Sequence, residues 1–165
     1  MRTDYTERVG LGGGCHWCTE AVFQSLHGVS NVAQGYVRSE PPHEDWSEAV
    51  VVTFDPSTIE LAVLLEIHLR THSSMSNHKM RGKYRSAIYT FNDEQRLQAE
   101  NSLMALQPAF EKPLVTLVLT HCAFRRSDER FQDYYLKDPD RPFCRSYIDP
   151  KLRLLRERFA ERVQT

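Results

Sequence analysis

The residues of this chain best able to do covalent chemistry are its four cysteines, Cys15, Cys18, Cys122 and Cys144. Two of them stand three apart in Gly12-Gly13-Gly14-Cys15-His16-Trp17-Cys18. The glycines let the backbone turn sharply ahead of Cys15. If a helix begins there, the thiol meets unpaired N–H groups and the positive end of the helix dipole. Both favour thiolate, the nucleophilic form. Cys18 then lies one turn on, on the same face, where it can attack an oxidised Cys15. The pattern leaves several chemistries open. One is nucleophilic reduction of a substrate that is not a disulfide. Another is thioredoxin-like thiol–disulfide exchange, for which C-x-x-C at a helix start is the usual sign, with Pro113 as a candidate for the proline facing the dithiol. A third is a metal site, and the plainest is a pair of small buried side chains at a turn. A structural zinc site needs a second ligand pair at short spacing. His68 and His72 stand at i and i+4 but read as surface or packing residues, so no metal and no other cofactor is expected.

Elements must position these groups. Residues 8–12 read as a strand entering the glycine turn. Ala21, Val22, Phe23 and Leu26 then recur at helical spacing, and His27-Gly28 closes that helix. Residues 29–37 and 49–54 read as strands, the second ended by Asp55-Pro56. Ser57 and Glu60 have capping-box spacing and predict a helix from about residue 57, with Leu61, Leu64, Leu65 and Ile67 on its apolar face. Residues 86–91 form a strand, Asn92 is placed to cap the next helix with Gln95 at its third position, and residues 114–120 form another strand. Helical periodicity returns over 131–136 and 152–163. The leading order β-α-β-β-α-β predicts an α+β fold: a ferredoxin-like (split βαβ) two-layer sandwich with a mixed, antiparallel-rich sheet and a C-terminal helical extension.

Composition bounds the rest. At 165 residues one domain, 1–165, is expected, large enough to bury a core without staples. With 21 basic and 22 acidic residues there is no surplus of positive charge for nucleic acid. No run approaches the roughly 18 apolar residues of a membrane span, and the first residues lack a signal-peptide core. A cytoplasmic, monomeric domain is expected, without nucleic acid or membrane as partner. In a reducing compartment its cysteines read as catalytic, metal-binding or simply buried rather than disulfide-bonded.

Gly14-Cys15-His16-Trp17-Cys18 with Glu20 resembles the Gly-Cys-Phe-Trp-(Gly or Cys)-x-Glu signature of the peptide methionine sulfoxide reductase A family. Further pieces follow in order. Gly35-Tyr36 is similar to the family's Gly-Tyr. Trp46-Ser47-Glu48-Ala49-Val50 with Phe54-Asp55-Pro56 resembles its His-Ala-Glu-x-Val segment and Tyr-Asp-Pro end, and Tyr84-Arg85-Ser86-Ala87-Ile88-Tyr89 its Tyr-Arg-Ser-x-Ile-Tyr strand. Phe131-Gln132-Asp133-Tyr134-Tyr135-Leu136 and the later Cys144 resemble its Tyr-His-Gln-x-Tyr-Leu and recycling cysteine. The resemblance runs over nearly the whole chain and implies reduction of methionine-S-sulfoxide, free or protein-bound, to methionine. Cys15 is then the nucleophile, passing through a sulfenic acid. Glu48 is the acid; beside Ala49-Val50-Val51-Val52 its carboxyl is expected to lie out of water, where the protonated form is favoured. Tyr36 and Tyr84 donate hydrogen bonds to the sulfoxide oxygen, and Trp17 walls the methyl group. Cys18 resolves the sulfenic acid to a disulfide, with Cys144 as the second candidate, and an external thiol, a thioredoxin-type reductant or dithiothreitol, reopens it. Cys122 is expected to be structural.

The chain departs from the family at three places. His16 replaces a Phe of the methyl pocket and becomes a candidate to bind or orient substrate. Trp46 replaces the His before the glutamate. The 72–84 loop is shorter and lacks the family's Asn-Asp-x-Gly-Thr-Gln, which leaves His78 as a candidate for the missing aspartate's place.

Overall fold

A computed structural model describes residues 5–77 and 83–164. In chain order it contains β1 (Glu7–Gly12), α1 (His16–Gln24), β2 (Val29–Arg38), β3 (Ser47–Phe54), α2 (Leu61–Thr71), β4 (Ala87–Thr90), α3 (Asp93–Leu106), β5 (Leu117–Thr120), β6 (Ala123–Arg126), α4 (Tyr134–Lys137) and α5 (Asp149–Arg158), with a wide π-type turn at Cys144–Ile148 leading into α5. The sheet runs β5-β4-β1-β3-β2-β6. Its centre, β4-β1-β3-β2, is the split βαβ arrangement that the element order predicts, with antiparallel neighbours throughout. β5 adds in parallel to β4 and β6 antiparallel to β2, giving the mixed sheet.

Strand residues alternate between two apolar layers. Val9, Leu11, Val32, Val50, Val52, Phe54 and Ile88 pack with Ala21, Val22, Phe23 and Leu26 of the α1 region and with Leu61, Leu64, Leu65 and Ile67 of α2. Val37, Ala49, Val51, Ala87 and Tyr89 form a smaller cluster on the opposite face. Each large aliphatic or aromatic side chain so buried contributes on the order of 1.5–3 kcal/mol. The C-terminal extension closes the first layer: Cys144, Ile148, Leu152 and Leu155 join it. The chain end is clasped to the end of α1 by His27 N–H to Arg162 O and Gln164 N–H to Ser25 O, both 2.7 Å.

Local chemistry explains where the expected boundaries shift. Asn92 caps α3 by accepting the Gln95 N–H at 2.8 Å, and the Gln95 side chain accepts from Phe91 N–H at 2.9 Å. Ser57 does not cap α2. Its N–H and hydroxyl both turn back to Asp55 Oδ1, so the chain spends three more residues in a turn and the helix starts at Leu61. The first helix starts earlier than its apolar run, at His16, with Cys15 as N-cap. β6 is an addition to the expected strands, held by pairing with β2. The 131–136 segment contracts to one 3-10 turn, Glu129–Phe131, and the single turn of α4.

Candidate active site

Gly13 sits at φ +147°, a conformation that side chains rarely adopt, and a Cβ there would meet the His72 ring at 2.5 Å. That turn delivers Cys15 to the N-cap of α1, half-buried at the edge of the core. The Cys15 carbonyl starts the helix by accepting Cys18 N–H at 3.1 Å and Thr19 N–H at 3.2 Å. Its thiol is held below the ordinary cysteine range, first by a hydrogen bond from the Cys18 thiol and then by the Trp17 and Cys18 amides, against the opposing effects of burial and of Glu48. Cys18 is buried, and its pKa is pushed far up, because its proton is the one donated to Cys15 and because it lies out of water. All four cysteines are unbridged.

Glu48 projects from β3 on the face that carries α1 and is 6% exposed. Tyr36 is its direct cross-strand partner on β2. One carboxyl oxygen, Oε1, accepts His16 N–H at 3.2 Å; the other, Oε2, lies 3.6 Å from the Lys83 ammonium. Lys83 also approaches the Tyr84 ring at 5.2 Å and bonds its phenol, which raises the lysine pKa. Glu48, Tyr36, Lys83 and Tyr84 therefore gather beside Cys15 and His16. The His16 ring is 5% exposed, with Nδ1 2.8 Å from Gly35 O, Nε2 3.4 Å from Glu48 Oε1, and its edge to the Tyr36 ring at 5.3 Å. Burial is the main influence on it and lowers its pKa.

Trp17, half-buried, stacks on Tyr134 at 4.2 Å and lies near Phe131 and Phe143 at 5.8 and 5.5 Å. Arg141 covers the outer face of Tyr134 at 4.1 Å. This aromatic wall is fixed from beneath by Glu20, fully buried, which accepts Asp133 N–H, Tyr134 N–H and the Gln34 side chain. Burial raises the Glu20 pKa, and those three donors counteract it.

Behind the dithiol, Cys144 is fully buried, with burial pushing its thiol up. Lys151 on α5 donates to Thr71 O at the end of α2. Burial depresses this ammonium, while the charges on Cys18 and Cys15 favour it. His68 and His72 are not surface residues. His68 Nε2 lies 2.8 Å from Gly12 O, and His72 Nε2 lies 2.7 Å from Ser86 Oγ, so both brace the turn before Cys15. Cys122 is exposed, between β5 and β6, where its side chain supports no core. His78 lies outside the described residues.

Sequence reasoning missed Lys83, Lys151 and the aromatic partners of Trp17. Lys83 had a signal, since it precedes Tyr84-Arg85-Ser86. Phe131 and Tyr134 enter the sequence reading as helical periodicity and as part of the family motif, while Phe143 is not singled out.

The profile of the peptide methionine sulfoxide reductase family matches residues 7–163. Among similar proteins, peptide methionine sulfoxide reductase MsrA 1 of Rhodopirellula baltica is 31% identical, over 93% of this chain and 88% of its own length. Peptide methionine sulfoxide reductase MsrA of Haloquadratum walsbyi is 34% identical, over 96% and 99%. The fold is also that of Saccharomyces cerevisiae Mxr1 in reduced form, at TM-score 0.76 and 20% identity over 88% of this chain and 93% of that one. Mxr1 in complex with Trx2 superposes at TM-score 0.64 and 20% identity, over 81% and 89%.

Proposed function

The chain belongs to the peptide methionine sulfoxide reductase A family and is a methionine sulfoxide reductase, and from that premise we propose that it reduces the S epimer with Cys15 as nucleophile and Cys18 as resolving thiol. The observation that carries this reading is the Cys15–Cys18 pair itself: one thiol held below the ordinary cysteine range by the other's proton, beside a buried carboxyl.

The Cys15 thiolate attacks the sulfoxide sulfur. Two electrons pass from the Cys15 sulfur to the substrate sulfur, the S–O bond breaks, and oxygen ends on Cys15. A proton from Glu48 completes the sulfenic acid as methionine leaves. Phenols of Tyr36 and Tyr84 meet the charge growing on oxygen, and Trp17, backed by Tyr134 and Phe143, holds the methyl group. Oxidation of Cys15 removes the two influences that depend on its charge and keep Cys18 protonated, the accepted hydrogen bond and the negative charge, while the nearby Lys151 ammonium favours Cys18 thiolate. The nucleophile's own oxidation thus activates its resolver. Cys18 attacks the Cys15 sulfur, the hydroxyl leaves as water with one proton, and a disulfide forms. Cys144, in the same core, is the second candidate for this step or for taking the disulfide over. An external thiol of thioredoxin type then reopens it, a reading that the Mxr1–Trx2 complex supports.

The test is incubation with dithiothreitol and racemic N-blocked methionine sulfoxide, with the epimers resolved chromatographically. Loss of the S epimer alone, absent in Cys15→Ser, is expected; persistence of both epimers overturns the reading. Mass spectrometry after one equivalent of sulfoxide identifies the resolver, and a Cys15 linkage that never includes Cys18 reassigns it.

A further inference from the structure

We propose that His16 is a positioning residue that holds one proton jointly with Glu48, so that the acid of this site is a carboxyl–imidazole pair; the inference rests on the reductase reading above. Gly35 O can only accept, so the 2.8 Å contact places a proton on His16 Nδ1. Nε2 then faces Glu48 Oε1 at 3.4 Å, with both groups buried. A neutral Nε2 and a carboxylate oxygen are two acceptors, and a buried pair of acceptors is costly unless one proton lies between them. The ring cannot turn away without giving up the Gly35 carbonyl. The Glu48 carboxyl is also tied to the same residue's backbone N–H at 3.2 Å, which fixes the pair's geometry.

The groups facing the pair divide by sign. From the N-cap of α1, negative charge on Cys15 favours keeping the proton. From the segment before β4, Lys83 at 3.6 Å from Oε2 favours releasing it. Lys83 also engages Tyr84, while Tyr36 and the Gly35 carbonyl border the ring from β2. The reaction consumes one proton: thiolate, proton and sulfoxide give sulfenic acid and thioether. The pair supplies that proton to the departing oxygen and recovers it from solvent. A phenylalanine at position 16 would keep the backbone donor to Glu48 but lose Nε2.

The experiment compares pH profiles of kcat/KM for the wild type, His16→Phe and His16→Gln, with dithiothreitol and N-blocked methionine-S-sulfoxide. His16→Phe is expected to move the alkaline limb down by about one pH unit, a roughly tenfold loss on that side. His16→Gln, whose amide oxygen can accept the carboxyl proton, restores most of the shift. A uniform loss at every pH, with the limb unmoved, overturns the proposal. Nitrogen-15 spectra of the resting wild-type protein need neither turnover nor a variant. They are expected to show Nδ1 protonated and Nε2 hydrogen-bonded, and an Nε2 reading as a bare acceptor overturns the pair. An inactive wild type that still shows the shared proton overturns the reductase reading while the pair stands.

Discussion

Glu48 accepts the backbone N–H of His16 at 3.2 Å, although the two residues are 32 positions apart in the chain. The residue accepting that hydrogen bond carries the site's carboxyl, and the residue donating it directly follows the N-cap cysteine. A shift of β3 against α1 would break this bond and separate Glu48 from Cys15 together. The antiparallel register of β3 with β1 and β2 prevents such a shift.

Replacing Glu48 by Gln keeps an acceptor for His16 N–H and removes the proposed proton source. It is expected to lower kcat/KM by about 10²–10⁴-fold, the usual worth of a positioned acid. Circular dichroism should be unchanged, and alkylation of Cys15 by iodoacetamide should persist. Wild-type activity in this variant would show that the proton comes from elsewhere.

Cys18→Ala removes the thiol proton donated to Cys15. Two results are expected: the pH midpoint for alkylation of Cys15 rises, and a Cys15 sulfenic acid accumulates that a dimedone-type reagent traps. One methionine per enzyme should still form in a single turnover. An unmoved alkylation midpoint would place the thiolate's support in the backbone amides alone.

Lys151 is the cation that favours thiolate on Cys18. Lys151→Met is expected to leave sulfenic acid formation near the wild-type rate and to slow disulfide formation several-fold, as followed by rapid quench and mass spectrometry. Stability should fall by about 1 kcal/mol, because the bond to the Thr71 carbonyl is lost. Equal slowing of both steps would speak for a packing role only.

Glu20→Ala leaves two backbone N–H donors, of Asp133 and Tyr134, without their buried acceptor. A loss of about 2–4 kcal/mol is expected. Since Tyr134 backs Trp17, KM for sulfoxide should rise more than kcat falls. A pure kcat effect would argue against the aromatic wall as a substrate contact.

Local chemistry made much of this protein legible in its sequence. Cys15 and Cys18 announce themselves because a glycine turn, an N-cap position and a one-turn spacing are all short-range features. Asn92 and Gln95 were readable as a cap for the same reason. Ser57 had the same spacing to Glu60, yet Asp55 captured both its donors, a competition that pattern alone does not rank. β6 carries no alternation of its own and exists because β2 offers an unpaired edge.

The meeting of distant groups was decided only in three dimensions. Tyr36 faces Glu48 because β2 and β3 pair in one register, and a slip of one residue would turn every side chain to the other layer. His16, which by sequence is a departure from an apolar pocket, has both ring nitrogens turned to oxygen atoms of β2 and β3. Lys151 reaches the dithiol only because α5 packs back across α1 and α2. Charge and burial act over a few ångströms of space, and sequence separation carries no record of those distances.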